Sequence, residues 1–330
     1  MSADRLSCGL PAGETVLQVL AGQPIDDVAR RAGMDATVLG DAVELFTQAG
    51  HTALADQAER STWWQFYLEF PNWSQAEATA AAVLRPILLD AETKGSITAW
   101  WYTRKHPCWR LRLGIHPDPD ARAHIAAALD ELVGAGHLQR WWPGIYEPEI
   151  TAFGGSAGME AAHYLFSADS REILALAHRS DVSIGRRELS VLLSSIMMRA
   201  AGLEWYEQGD VWHRVIGEEH RSALGSVPEE RLMEMTTELR KLLLSHLDPD
   251  DPLFVRGGPL APVQAWAAAF RDVGVALAEA VKSASMDRGL RRVLAYHVIF
   301  HWNRLGLSIG AQSALAHAAR TAIFDPPVWS

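Results

Sequence analysis

Residues 100–115 read WWYTRKHPCWRLRLGI, and the way this stretch folds decides the architecture of the chain. The stretch predicts two short strands joined by a turn at His106-Pro107. In the second strand Arg110 and Arg112 stand two residues apart. That spacing sends both guanidinium groups out of one face of a sheet. Neighbouring cations repel, so the shared face calls for an anionic or peptidic partner.

The flanking sequence supplies the rest of a sheet. Upstream, WWQFYLEF (63–70) suits a strand and NWSQAEATAAAVLRPILLDAETKG (72–95) a helix. Ser74 and Glu77 offer that helix a capping box, and Pro86 marks a kink or an early end. Downstream, PDARAHIAAALDELVGAG (119–136) reads as a second helix closed by glycines, and HLQRWWPGIY (137–146) as a last strand. The order β-α-β-β-α-β predicts an α+β fold, a ferredoxin-like unit with a four-stranded antiparallel sheet and both helices on one face. The other face is then free to be covered by the rest of the chain or by substrate.

Helical spacing dominates the remainder of the chain beyond the sheet. Asp169-Ser170-Arg171-Glu172 reads as a helix start in capping-box fashion, and helices are expected near 187–203, 228–246, 261–284, 288–305 and 310–323. GDVWHRVIGEEHRSALGSVPEE (209–230) and SHLDPDDPLFVRGGP (245–259) read as loop-rich connections. Before the sheet, residues 13–58 form a small helical unit with Pro24 opening its second helix, Gly33 ending it and Asp35 capping the third. Helix, glycine turn and helix match a DNA-reading pattern, but the third helix carries Asp41 and Glu44 and no cation in the stretch that would read bases. A docking module or structural cap fits better. The expected division is 1–60 for this unit, with leader-peptide docking as its function, and 61–330 for the main domain.

Composition narrows the function. The 330 residues carry a net charge of −10, which argues against nucleic acid and anionic membranes as partners. No run approaches 18 apolar residues, and the first residues lack the basic and apolar regions of a signal peptide. Cys8 and Cys108 form no metal-binding or redox spacing, so a reduced, cytoplasmic protein without disulfide is expected. Thirteen tryptophans, many in clusters, supply core packing or the aromatic walls of a groove. Walker, dinucleotide-binding, zinc-protease and serine-hydrolase motifs are absent, and His163, His178 and His213 are scattered.

One ordered series of segments stands out. It runs from Trp109-Arg110-Leu111-Arg112 through Tyr146-Glu147-Pro148-Glu149-Ile150 and Phe153-Gly154-Gly155 to Glu160, Phe166-Ser167-Ala168-Asp169-Ser170 and His301-Trp302-Asn303-Arg304-Leu305. Over residues 63 to 323 this series resembles the thiopeptide-type bacteriocin biosynthesis family, related to the C-terminal elimination domain of class I lantibiotic dehydratases. Elimination domains of that kind remove glutamate from glutamylated Ser and Thr of a precursor peptide. Their motif has arginines in HLRLR, an arginine in RYGG and a histidine four residues before the Asn-Arg pair. Here the first pair is Arg110 and Arg112, but Ala152 stands at the RYGG arginine and Ile299 at the histidine. Losing both a carboxylate clamp and a titrating group argues against glutamate elimination.

Members of the family with eroded elimination motifs include stand-alone pyridine synthases, which join two dehydroalanines of a thiazole-bearing peptide in a formal [4+2] aza-cycloaddition. The resemblance therefore implies a cyclase of that kind, with a modified precursor peptide as partner and no cofactor or metal. A glutamate-eliminating lyase in which Arg104 or Arg140 replaces the missing arginine, and a non-catalytic peptide-binding protein, are the alternatives. A homodimer is suggested by family analogy alone. Candidate catalytic residues are His301, Ser308, Tyr146 and Glu149. Candidate substrate-binding residues are Arg110, Arg112, Trp101, Trp109, Trp302, Asn303, Arg304 and Glu69. Spacings of two and five residues do not place His301, Asn303 and Ser308 on one helical stripe, so only some of them can converge.

Overall fold

β1 (Trp63–Glu69), β2 (Ala99–Lys105), β3 (Cys108–Gly114) and β4 (Arg140–Gly144) form one antiparallel sheet in the order β2-β3-β1-β4. The order and the all-antiparallel pairing are those of the ferredoxin-like unit expected from the sequence, and the chain is α+β. The computed structural model describes residues 13–115, 119–179, 181–218, 221 and 227–325. Cys8 and the first residues, where no signal peptide is expected, lie outside them. The described residues divide into two compact units at Ser61 and Thr62.

In the first unit α1 (Gly13–Leu20), α2 (Ile25–Ala32) and α3 (Ala36–Thr62) close a small core of Val16, Val28, Ala29 and Leu39. Gly33 ends α2 with φ 66°, a conformation open to glycine at no steric cost. Asp35 Oδ1 accepts the Thr37 N–H at 2.7 Å and so caps α3.

In the second unit the pleat sorts the sheet residues by face. Phe66, Leu68, Trp100, Tyr102, Trp109, Leu111 and Leu113 are buried in one core with Leu88, Ile125 and Leu129 from the crossover helices. The first crossover is segmented: α4 (Ala76–Thr79), a π-turn over Ala80–Leu84 and α5 (Arg85–Thr93). Pro86 sits in the first turn of α5, where its missing N–H costs nothing, and the π-turn absorbs the break. Asn72, not Ser74, provides the cap, its Oδ1 accepting the Ser74 N–H at 2.9 Å. The second crossover is α6 (Pro119–Gly134).

Eight further α-helices occur among the described residues: α7 (Ile150–Phe153), α8 (Ser156–Leu176), α9 (Arg186–Ala200), α10 (Trp205–Gly217), α11 (Glu229–Leu244), α12 (Gln264–Lys282), α13 (Leu290–Leu305) and α14 (Ile309–Phe324). Two expectations fail against them. The 209–230 stretch begins inside α10, whose start carries a capping box between Glu204 and Glu207. Asp169-Ser170-Arg171-Glu172 lies in the body of α8, which starts instead after Gly154 and Gly155, at φ 82° and 100°. Both glycines hold a positive φ that strains any side-chain-bearing residue there.

Helix α8 seals the open edge of the sheet. The Tyr102 N–H on β2 donates to Ser170 Oγ at 3.2 Å, and Arg171, bonded to Glu92, lies over the Trp100 ring. An otherwise exposed strand edge is thereby covered.

Candidate functional site: a cleft between the arginine face and helix α13

The register explains the surroundings of the two arginines. On β3, Arg110 stands between Tyr67 and Thr103, and Arg112 between Gln65 and Trp101. All six residues share the face opposite the crossover helices, as their two-residue spacing requires. Arg112 is buried. Its Nε donates to Gln65 Oε1 at 2.9 Å and its Nη1 to Thr103 Oγ1 at 2.9 Å. The guanidinium carbon lies 4.3 Å from the Trp101 ring centroid and 5.0 Å from that of Tyr146. Burial pushes its pKa down to about 10, with the neighbouring Tyr146 and Glu149 opposing that fall. It remains a cation at neutral pH, held rigidly by neutral oxygens and aromatic faces. Arg110 is half-buried, 5.7 Å from the Tyr67 ring centroid, and lines a cleft of about 430 Å³.

Thr103, Lys105, Arg110 and Arg112 form the sheet side of this cleft. Arg104 also borders it, but its place opposite Trp109 sets its side chain on the other face, paired with Glu77. Tyr296, Ile299, Phe300 and Asn303 of α13 form the other. Their spacing of three, four and seven residues is one helical stripe. Glu149 also lines the cleft, with Oε2 buried and without a hydrogen-bond partner among the described residues. The helix side is braced by a chain of hydrogen bonds. Arg221 Nε donates to Gln312 Oε1 at 2.8 Å, and Gln312 Nε2 donates to Asn303 Oδ1 at 3.0 Å. Arg221 and Glu218 line the cleft as well, and the Tyr296 hydroxyl reaches Glu218 Oε2 at 3.4 Å.

Of the residues singled out in the sequence, the cleft therefore gathers Arg110, Arg112, Glu149 and Asn303. Tyr146 lies beneath it, with its hydroxyl 2.7 Å from His163 Nε2 and its ring against Arg112. Trp101 supports Arg112 from below and is wholly buried. The others sit elsewhere. His301 is on the opposite side of α13 and Arg304 on its flank, both wholly buried on Asp169, with His301 Nδ1 2.8 Å from Oδ1 and Arg304 Nε 2.7 Å from Oδ2. Trp266 Nε1 donates to the same Asp169 Oδ1 at 2.9 Å. Burial drives the Asp169 carboxyl upward, but His301 and Arg304 outweigh it and hold the pKa below the ordinary value. This cluster pins α13 to α8 and α12, and neither His301 nor Arg304 reaches the cleft.

Trp302 is buried with its Nε1 on Ser190 Oγ at 3.0 Å and its ring stacked on Trp212. Trp109 is stacked on Tyr102 in the core behind the sheet. Ser308 is the N-cap of α14, its Oγ accepting the Ala311 N–H at 3.2 Å. Glu69 is bonded to Arg140 at 2.7 Å across β1 and β4. Of the two alternative cations, Arg104 lines the cleft but is paired with Glu77, and Arg140 does not line it. No group of three or more metal-ligating side chains occurs among the described residues.

Sequence reading missed Arg221, Glu218, Tyr296 and Gln312. The helical spacing of Tyr296, Ile299 and Asn303 was the available signal. Arg221 offered no such signal, since it lies beyond the end of α10 in a stretch without periodicity.

The family described as lantibiotic biosynthesis dehydratase C-term matches residues 63–323. The chain belongs to this family. It is thus a member of a group of lantibiotic-type ribosomal-peptide biosynthesis enzymes. Its fold is similar to that of the tRNA-dependent lantibiotic dehydratase MibB from Microbispora sp. 107891, with a TM-score of 0.58 and 19% identity over 80% of this chain. The chain spans 28% of the length of MibB. It also resembles TsrL (TM-score 0.55, 17% identity, 79% of this chain and 94% of TsrL). A further similar structure is TbtD, the pyridine synthase from thiomuracin biosynthesis (TM-score 0.51, 15% identity, 79% of this chain and 97% of TbtD). At such identities the likeness is one of fold. No curated protein matches the chain significantly. No helix of the described residues is long and apolar enough to cross a membrane.

Proposed function

We propose that the cleft binds a modified precursor peptide and closes a six-membered nitrogen ring between two of its dehydroalanines. The observation that carries this reading is Ile299. The position where elimination domains hold a histidine is here an aliphatic wall of the cleft, 6% exposed, facing paired arginines that are kept. Such a site offers donors, shape and the carboxylate of Glu149 rather than the motif's histidine. A cycloaddition asks for that: two alkenes brought together, and donors on one amide oxygen.

The chemistry balances without a redox partner. One dehydroalanine, with the preceding amide as its iminol, supplies a four-atom azadiene, and the second supplies the alkene. Two carbon–carbon bonds form. Water leaves from the former iminol carbon, and the leader peptide leaves as a carboxamide from the former α-carbon of the second residue, with one ring proton lost at each step. Arg110 and Arg112 are the donors for the amide oxygen. Glu149 is the group placed to move the ring protons. Tyr146 acts from beneath, by fixing Arg112. The fold shared with TbtD over most of both chains supports the reading.

A glutamate-eliminating lyase is the second reading, favoured by the retained Arg110 and Arg112 in the cleft despite Ala152. One experiment separates the two. Incubation with a dehydrated, azole-bearing peptide should raise the ultraviolet absorbance of a substituted pyridine and release the leader as a separate chromatographic peak. Release of free glutamate from a glutamylated peptide, with no new chromophore from the first, would support the lyase instead.

A further inference from the structure

We propose that Arg110, Tyr67 and Trp142, a row of side chains running from the cleft to the edge strand β4, form a platform for a flat heteroaromatic ring of the bound peptide. The proposal rests on the peptide-binding reading of the cleft and adds where the peptide lies beyond it.

Three observations carry it. The first is continuity. Strand pairing sets Thr103 on β2, Arg110 on β3, Tyr67 on β1 and Trp142 on β4 opposite one another. The row crosses the whole sheet on the face that carries the cleft, and Thr103 and Arg110 line the cleft itself. Three strand spacings make the row about 14 Å long, the reach of about four extended residues.

The second is a surface that is built but left open. Trp142 is stacked on Tyr67 with ring centroids 5.2 Å apart, and Arg110 lies 5.7 Å from the Tyr67 centroid on its other side. Arg140, bonded to Glu69, lies 5.1 Å from the Trp142 centroid. Gly144 leaves room for this packing, since a Cβ there would run into the Tyr67 ring. Both rings are nonetheless only half-buried, and neither joins the core that fills the opposite face. Large aromatic side chains fixed in place and open to solvent mark a binding surface.

The third is chemistry. Rings stacked side by side turn their edges outward, and aromatic edges are positive, like the guanidinium groups beside them. Such a surface attracts the electron-rich face of a ring laid across it. The Trp142 indole N–H makes no hydrogen bond among the described residues, so it is a donor for an acceptor nitrogen in that ring. An azole has both features, whereas a phenyl ring has only the face. The occupant is an azole of the precursor peptide, next to the residues held in the cleft.

The experiment reads binding and contact apart from turnover. Fluorescence anisotropy compares a fluorescein-labelled, dehydrated, azole-bearing peptide with the same peptide carrying a phenylene ring in place of each azole. The azole peptide should bind the full chain about tenfold more tightly, the scale of one aromatic contact with one hydrogen bond. Trp142→Phe, which keeps the stack but not the N–H, should lose part of that preference, and Trp142→Leu nearly all of it. In NMR spectra of the isotope-labelled protein, the indole signal that Trp142→Phe removes should shift when the azole peptide is added. Equal affinity of the unmodified protein for the two peptides overturns the proposal and needs no variant. So does full preference in a folded Trp142→Leu. An indole signal that ignores the peptide but moves with protein concentration would make the row a contact between copies of this chain, and the proposal would fall. If the preference and the shift hold but no ring forms, the platform stands and the cyclisation reading falls. Ring formation without the preference leaves cyclisation standing and removes the platform.

Discussion

Arg304 Nε lies 2.7 Å from Asp169 Oδ2, with both side chains wholly buried between α13 and α8. The same carboxylate also takes His301 and Trp266, so three elements converge on one charge. Removing the carboxylate strands a buried cation. Asp169→Leu should lower unfolding stability by about 3 kcal/mol. Combining it with Arg304→Met should recover most of that loss, because the stranded charge is gone. Urea unfolding of the two single variants and the double variant checks this; simple additivity of the losses would show that the two residues are not coupled.

That pin also shows which parts of the structure were legible in sequence. The sheet was, because Arg110 and Arg112 alternate with Leu111 and Leu113 directly after a His-Pro turn. The lower wall of the cleft came from the same alternation. The far wall did not. Asp169-Ser170-Arg171-Glu172 has the composition of a helix cap, and only tertiary burial turns it into an interior anchor. His301 and Asn303 are two residues apart, so a helix sends them to opposite sides, one into the core and one toward the cleft. Arg221 owes its place to Gln312, 91 residues away along the chain, and no local pattern encodes that contact.

His297 is buried against Phe153, and burial, with the Arg304 charge adding to it, pushes its pKa down to about 3. The unfolded chain binds the proton near pH 6.5, so the native state loses stability as pH falls from there toward 3. Replacing His297 by Leu removes this titration. Thermal melts should show wild type and His297→Leu close together at pH 7.5 and the wild type falling behind at pH 4.5. A constant gap at all pH values would contradict the assignment.

Arg112 combines two hydrogen bonds with an aromatic seat, a geometry that an ammonium group cannot copy. Arg112→Lys should cut turnover by about 10²-fold, the typical cost of losing a preorganised donor at developing charge. Arg110→Ala, at the more open position, should act mainly through KM. Steady-state kinetics of both variants on the linear peptide decide the point, and an unchanged kcat in Arg112→Lys would remove Arg112 from the reaction.

Ile299→His restores the residue type of the elimination motif without its arginine. On the cyclisation proposal it places a polar ring where the peptide needs an apolar wall. Ring formation should fall by about tenfold, as expected for an unpartnered polar group brought into an apolar contact. No glutamate release should appear. A gain of glutamate release on a glutamylated peptide would reassign the cleft to elimination.

The most direct measurement is high-resolution mass spectrometry of the purified protein with a linear peptide carrying two dehydroalanines and its azoles. The expected result is a core product lighter by one water and by the entire leader, together with the leader recovered as its carboxamide, and neither forming with Arg112→Lys at the same rate. A peptide that co-elutes with the protein at unchanged mass would contradict cyclisation in this cleft.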